Sequence, residues 1–153
     1  SDFEGEYIKS PFYGVGGSVV KREWLINSPF DEILDPNGIG DNYGVAAGFP
    51  AEGIHILKHA FVYHYRSPEN RLHRSQSYYR RILALDYFVK TKKELRHIKA
   101  IWFLWSLFGN MTMLIASKNI EMARVSLKLF YEILSGNNPY LKGRKIGIKS
   151  SHS

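Results

Sequence analysis

Four groups of residues in this chain could do chemistry. Asp41 stands in Gly40-Asp41-Asn42, ahead of a stretch that reads as a short helix. Aspartate suits a helix start, where its oxygen accepts from the unpaired N–H groups of the first turn. The pair Gly16-Gly17 lets backbone approach a ligand closely or take a positive φ. A glycine pair in a turn without a ligand reads the same way. It is not a dinucleotide fingerprint, because Gly14-Val15-Gly16-Gly17 lacks the third glycine at the required spacing. His55 and His59 have the i, i+4 spacing of a helix-borne metal pair, but their segment has a strand-and-turn pattern, which discounts them. Arg66, Arg71 and Arg74 are charge-assisted donors suited to phosphate, or the opening of a basic helix. The absence of cysteine excludes disulfides, thiolate metal sites and a cysteine nucleophile.

The elements that must position these groups fall into three regions. Residues 1–66 are rich in Gly, Pro and Asp between short apolar runs, the signature of tight turns and short strands. Within them Val15–Val20 is a Gly-rich strand or loop leading into a short helix at Lys21–Asn27. Asp41–Gly53 holds another short helix, interrupted by Gly48 and Pro50. Ile54–Leu57 and Ala60–Tyr65 read as strands. Residues 67–141 are helical: Tyr78, Ile82, Leu85 and Val89 share one helix face, with Arg80, Arg81, Lys90 and Lys93 mostly off it. Ala100–Ser117 is uncharged throughout. A last helix places Ile120, Ala123, Leu127, Phe130 and Leu134 on one face, with Gly136 as its stop. Residues 142–153 read as a basic, frayed tail. Ser rather than Met at position 1, with no charged n-region ahead of an apolar run, leads us to expect a piece of a longer chain without a signal peptide.

Five segments then occur in order. They are Tyr13-Gly-Val-Gly-Gly-Ser-Val-Val-Lys-Arg-Glu-Trp24, Ser28-Pro-Phe-Asp-Glu32, Gly38-Ile-Gly-Asp-Asn-Tyr-Gly-Val-Ala46, Glu52-Gly-Ile-His-Ile56 and Ala60-Phe-Val-Tyr-His-Tyr-Arg66. This order resembles the second half of family 2 glycosyltransferases of the GT-A fold, over about a third of the chain. The resemblance implies the end of a mixed α/β sheet (α+β in this stretch taken alone) followed by two or three C-terminal helices. It implies an inverting transferase that uses a nucleotide-sugar donor and a glycan or lipid-linked acceptor of the cell envelope. It places the nucleotide-binding half upstream of residues 1–66, so this chain alone would be inactive. Inversion needs a carboxylate to deprotonate the attacking hydroxyl, and a carboxylate within hydrogen-bond reach can do so. The family's Glu-Asp motif falls on Asp41-Asn42 without a gap, which sets asparagine in the catalytic place; a shift of one residue sets Asp41 there. Asn42 cannot act as a base, so Asp41 is the candidate, with the helix-cap role equally open. By the same resemblance Gly16 and Gly17 line the sugar pocket, Trp24 stacks on a sugar or packs in the core, and Arg66 and Arg71 bind the diphosphate. His64 would complete a divalent site (Mn or Mg) together with an Asp-x-Asp motif that this chain lacks.

The net charge of +7 sits in one segment. Arg66–Lys99 carries ten basic and three acidic residues, and the rest of the chain balances. Concentrated basic charge points to phosphate on lipid headgroups or nucleic acid, or to a solvated helix face. The eighteen uncharged residues that follow reach the lower edge of a membrane span, but Ser106, Gly109, Asn110 and Thr112 weaken it. An in-plane helix at an anionic membrane, with Trp102 and Trp105 at headgroup level, is the expectation. That places the protein peripherally on the cytoplasmic face of the cell membrane, or in the cytoplasm. A non-catalytic membrane-association module is the first alternative. Nucleic acid is an unlikely partner, since no recognised binding motif accompanies Tyr78, Tyr79, Arg80 and Arg81.

Overall fold

The computed structural model describes residues 4–10, 17–34, 40–50, 53–63, 72–95, 98 and 100–146. The fold is mostly helical α+β with a small two-stranded antiparallel sheet. Two compact units divide the chain. One comprises residues 1–30 and 41–71, the other residues 31–40 and 72–153.

The first unit holds β1 (Tyr7–Lys9), α1 (Arg22–Asn27), α2 (Asp41–Ala47) and β2 (His55–Leu57). The strands pair antiparallel as Tyr7↔Leu57, Ile8↔Ile56 and Lys9↔His55. Ser10 N–H donates to the Ile54 carbonyl and Lys58 N–H to the Glu6 carbonyl, both at 2.9 Å, extending the ladder at each end. All six strand residues are exposed, and a lone two-stranded sheet of this size is marginal in water. Burial in this unit comes from the helices. Val45 and Phe49, four residues apart, form its buried centre, with Val20, Trp24, Leu25, Ala46 and Ile54 packed around them. Ser28 ends α1 by donating its N–H to the Trp24 carbonyl, and Pro29 discourages a further helical turn. The Ser28 hydroxyl donates to the Val45 carbonyl at 3.0 Å, which ties α1 to α2. The approach there is so close that a Cβ on Gly48 would lie 2.3 Å from Ser28 Oγ.

The second unit contains α3 (Arg74–Thr91), α4 (Ala100–Ala116) and α5 (Ile120–Leu134), with 3-10 turns at Glu32–Leu34, Lys93–Leu95 and Tyr140–Lys142. The helices run up, down and up. Lys118, at φ 59°, makes the turn between α4 and α5 in the left-handed region. Asn119 Oδ1 then accepts from Met122 N–H and caps α5. The core gathers Leu34, Leu83, Ala84, Phe88, Leu129 and Ile133. Two buried polar knots bind the helices. Tyr78 Oη meets Ser126 Oγ at 2.9 Å and receives Asn110 Nδ2 at 2.6 Å, joining α3, α5 and α4. Asn138, wholly buried, donates to the Leu83 carbonyl and to Asp86 Oδ2 at 2.8 Å each, and its Oδ1 accepts from Tyr140 N–H. Lys90 neutralises Asp86 from one turn away at 2.8 Å.

The structure corrects several expectations. The sheet over the described residues is two-stranded and antiparallel. Ala60–Tyr63 forms no strand, and Phe61, Val62 and Tyr63 are exposed. Their β-branched and aromatic composition favours a strand only where a neighbour supplies the ladder. On α3, Ile82, Leu85 and Val89 are only partly buried, while Arg80, Leu83, Ala84, Asp86 and Phe88 are buried alongside Tyr78. The helix is enclosed on several sides, so no single stripe describes it. On α5, Ile120, Leu127 and Leu134 are exposed, and Met122, Ser126, Leu129 and Ile133 join Ala123 inside. The expected tail begins within the Tyr140–Lys142 turn, and residues 147–153 lie outside the described residues.

Candidate functional site

Asp41 opens α2 directly after Gly40, whose φ of 100° only glycine adopts without strain. The turn delivers the carboxylate as the first helical residue, one place beyond the cap position. A negative charge in the first turn is favoured there by the helix dipole. Asp41 and Asn42 are both half-buried. Four residues on from Asp41, Val45 anchors the same side of α2 in the core. The carboxylate therefore sits one turn above a fixed point, on a helix that Ser28 ties from its flank.

Trp24 lies on α1 and packs against Phe49, with ring centres 5.5 Å apart. Lys21 Nζ stands 5.3 Å from its ring centre. Gly53 leaves space for the indole, because a Cβ there would lie 2.6 Å from the Trp24 ring edge. The side chain is half-buried, so it serves the core and keeps part of the ring at the surface. Gly17 lies against Val62: a Cβ on it would stand 3.2 Å from Val62 Cγ2. Gly16, His64, Arg66 and Arg71 lie outside the described residues; Arg74 is the exposed first residue of α3.

Among the described residues no three His, Asp or Glu side chains converge as a cation site. His55 is on β2, with its ring edge-on to Tyr7 at 4.8 Å.

The second unit shows an exposed apolar surface on α4, the helix expected to lie in plane at a membrane, and the surface continues onto α5. Ile101, Trp102, Trp105, Phe108, Met113 and Ile115 on α4 are all exposed, with Trp105 at 68%. Ile101, Leu104, Trp105 and Phe108 together with Phe130 of α5 line a wholly apolar open groove of ≈ 310 Å³. The exposed Ile120, Leu127, Tyr131 and Leu134 continue from Phe130 along α5. The signal was available in the sequence: the apolar arc of α5 is far wider than one packing face requires. No described helix is long and apolar enough to cross a membrane.

Comparison of the chain with protein-family models, with curated proteins and with solved structures finds no match.

Proposed function

We propose that the unit carrying Asp41 is the acceptor side of an inverting, nucleotide-sugar-dependent glycosyltransferase of the GT-A type. The observation that supports the reading best is the seating of Asp41. A half-buried carboxylate opens a short helix whose next turn is locked into a small apolar core. In this reading Asp41 accepts the proton of an acceptor hydroxyl as that oxygen bonds to the anomeric carbon of the donor. The bond to the nucleoside diphosphate breaks on the opposite face, so the anomeric configuration inverts. Trp24 and Asn42 border the saccharide, and the glycines at 16 and 17 let backbone approach it. Arg66 and Arg71 meet the diphosphate. The nucleotide is held by a half that this chain does not contain, and no step is assigned to a cation. The acceptor is a glycan or lipid-linked saccharide, and the protein works peripherally at the cytoplasmic face of the membrane.

The test joins this chain to a nucleotide-binding half and measures nucleoside diphosphate release that depends on acceptor. Asp41→Asn is expected to lower kcat by roughly 100- to 10,000-fold, the usual contribution of a positioned base. A thermal melt close to that of the parent would separate this loss from unfolding. Turnover unchanged by Asp41→Asn removes Asp41 as the base. A second reading, a non-catalytic membrane-association module, is favoured by the uncharged exposed face of α4; it predicts no sugar transfer in any such pairing.

A further inference from the structure

We infer that the α4–α5 hairpin is a membrane-docking surface that lies flat in the interface of an anionic bilayer, with α4 parallel to the membrane plane. This extends the peripheral placement proposed above and does not require the transferase reading, since its tests measure no sugar transfer.

Burial on α4 selects one narrow side. Leu107 is its only buried residue, with Phe103, Leu104, Met111 and Leu114 half-buried around it. The opposite side carries Ile101, Trp102, Trp105, Phe108, Met113 and Ile115 in the open, and no charge interrupts Ala100–Ser117. Exposed apolar residues that are single need no explanation, whereas a continuous patch marks an interaction surface. Here the patch crosses to the next helix. The apolar groove beside Phe130 joins it to the strip Ile120, Leu127, Tyr131 and Leu134 on α5.

Length and charge choose the occupant. Seventeen residues make a helix roughly 25 Å long, short of the hydrocarbon thickness of a bilayer. Lys93 lies exposed ahead of α4, Lys118 is exposed just after it, and Arg124 falls within the α5 strip four residues after Ile120. The sequence between Glu94 and Glu121 carries Arg96, Lys99 and Lys118 and no acidic residue, with the exposed Glu94 and Glu121 at its two ends. An apolar surface that carries two tryptophans and has cations beside it complements acyl chains overlaid by anionic headgroups. A second copy of the chain would instead bring these cations against one another. The groove offers lipid tails a space with no polar lining.

The test is flotation of the 153-residue chain with phosphatidylcholine vesicles, alone or with about 30 mol% phosphatidylglycerol, combined with tryptophan quenching by brominated lipids. Binding is expected to be at least about 10-fold tighter to the anionic vesicles, with quenching that shows shallow insertion. Trp102→Ser with Trp105→Ser is expected to abolish most of the quenching, leaving Trp24 as the remaining emitter, and to weaken binding about 10-fold or more. Both side chains are exposed, so an unchanged melt verifies the fold. Lys118→Gln with Arg124→Gln is expected to erase much of the anionic preference, about fivefold per charge. Equal binding to both vesicles, no quenching, or a stable dimer that buries the tryptophans in solution would each overturn the inference.

Discussion

Asn138 offers the sharpest test of how the helical unit is held. Its side chain is wholly buried and makes three hydrogen bonds, to the Leu83 carbonyl, to Asp86 Oδ2 and from Tyr140 N–H. Together they fasten the turn after α5 onto α3. Asn138→Ala deletes all three and adds no compensating contact. The Leu83 carbonyl keeps its place in the helix ladder, so its loss is small. Asp86 keeps Lys90 but loses a donor inside the protein. The Tyr140 N–H is left without its acceptor in a buried setting. A neutral bond contributes about 1 kcal/mol net, a bond to a charged group about 1.5–3, and a stranded buried donor costs about 1–3. The expected loss is about 3–5 kcal/mol, a large part of the stability of a small domain. At about 2–4 °C per kcal/mol, Tm should fall by roughly 10 °C. Urea unfolding followed by tyrosine fluorescence and far-UV circular dichroism would measure it. Asn138→Asp provides the chemical control. It keeps the shape but sets a second carboxylate beside Asp86, so it should be as damaging as alanine at neutral pH. It should recover in part as the pH falls and the new carboxyl can donate again. A loss below about 1 kcal/mol for Asn138→Ala would show that the turn is held by Tyr140 packing alone, and the accounting above would fail.

Three further outcomes can be measured on the same material. Gly48→Ala should destabilise the first unit by about 1–3 kcal/mol through overpacking against Ser28, and Ser28→Gly in the same chain should recover part of that loss; additive effects in the double-mutant cycle would refute the clash. Lys118→Gly should raise stability by about 0.5–1 kcal/mol, since glycine adopts the left-handed turn at φ 59° without a Cβ penalty, and a lower Tm would contradict it. Burial first, then the 2.6 Å bond to Glu132, holds the Tyr79 phenol well above its ordinary value of 10.0. Its contribution to stability is complete below pH 10 and is lost as pH climbs toward the higher folded value, because the unfolded chain ionises first. Tyr79→Phe should therefore flatten the alkaline fall in urea midpoint, and an unchanged slope between pH 9 and about 11 would exclude Tyr79 as its source.

Much of the helical unit was legible because helices declare themselves locally. The run Ala100–Ser117 announced itself by being apolar and uncharged throughout, and α4 occupies Ala100–Ala116. The last helix begins after an Asn cap and stops before Gly136, as its local residues dictate. What could not be read was which side each helix would bury. The answer for α3 depends on the turn at Tyr140–Lys142 and on Asp31, which accepts from Tyr87 Oη at 2.9 Å from 56 residues away. Burial and that bond both raise the Tyr87 phenol above its ordinary value. For α5 the apolar arc was wide enough to fit two faces, and only packing could say that the Ile120–Leu127–Leu134 stripe is the outer one. At the candidate site, a short helix beginning at Asp41 followed from the residue types. The seating of Trp24 under Lys21 and beside Gly53 did not, because it requires the return of a segment nearly thirty residues later.

The basic segment teaches the same distinction between charge in sequence and charge at a surface. Arg80 is buried within α3, and Lys90 is committed to Asp86 one turn away. A helix that spends cations on its own core does not present a uniform basic face, whatever its composition. In the docking inferred above, the exposed cations are Lys93, Lys118 and Arg124, which lie beside or within the apolar helices α4 and α5. Salt should then act in a particular way. Screening weakens the attraction of these few exposed charges but leaves the burial of Trp102 and Trp105 untouched. Raising ionic strength should erode the preference for anionic vesicles while a residual, tryptophan-dependent association persists. A surface held by basic charge alone would release completely, and that outcome would assign the contact to the basic helix rather than to α4.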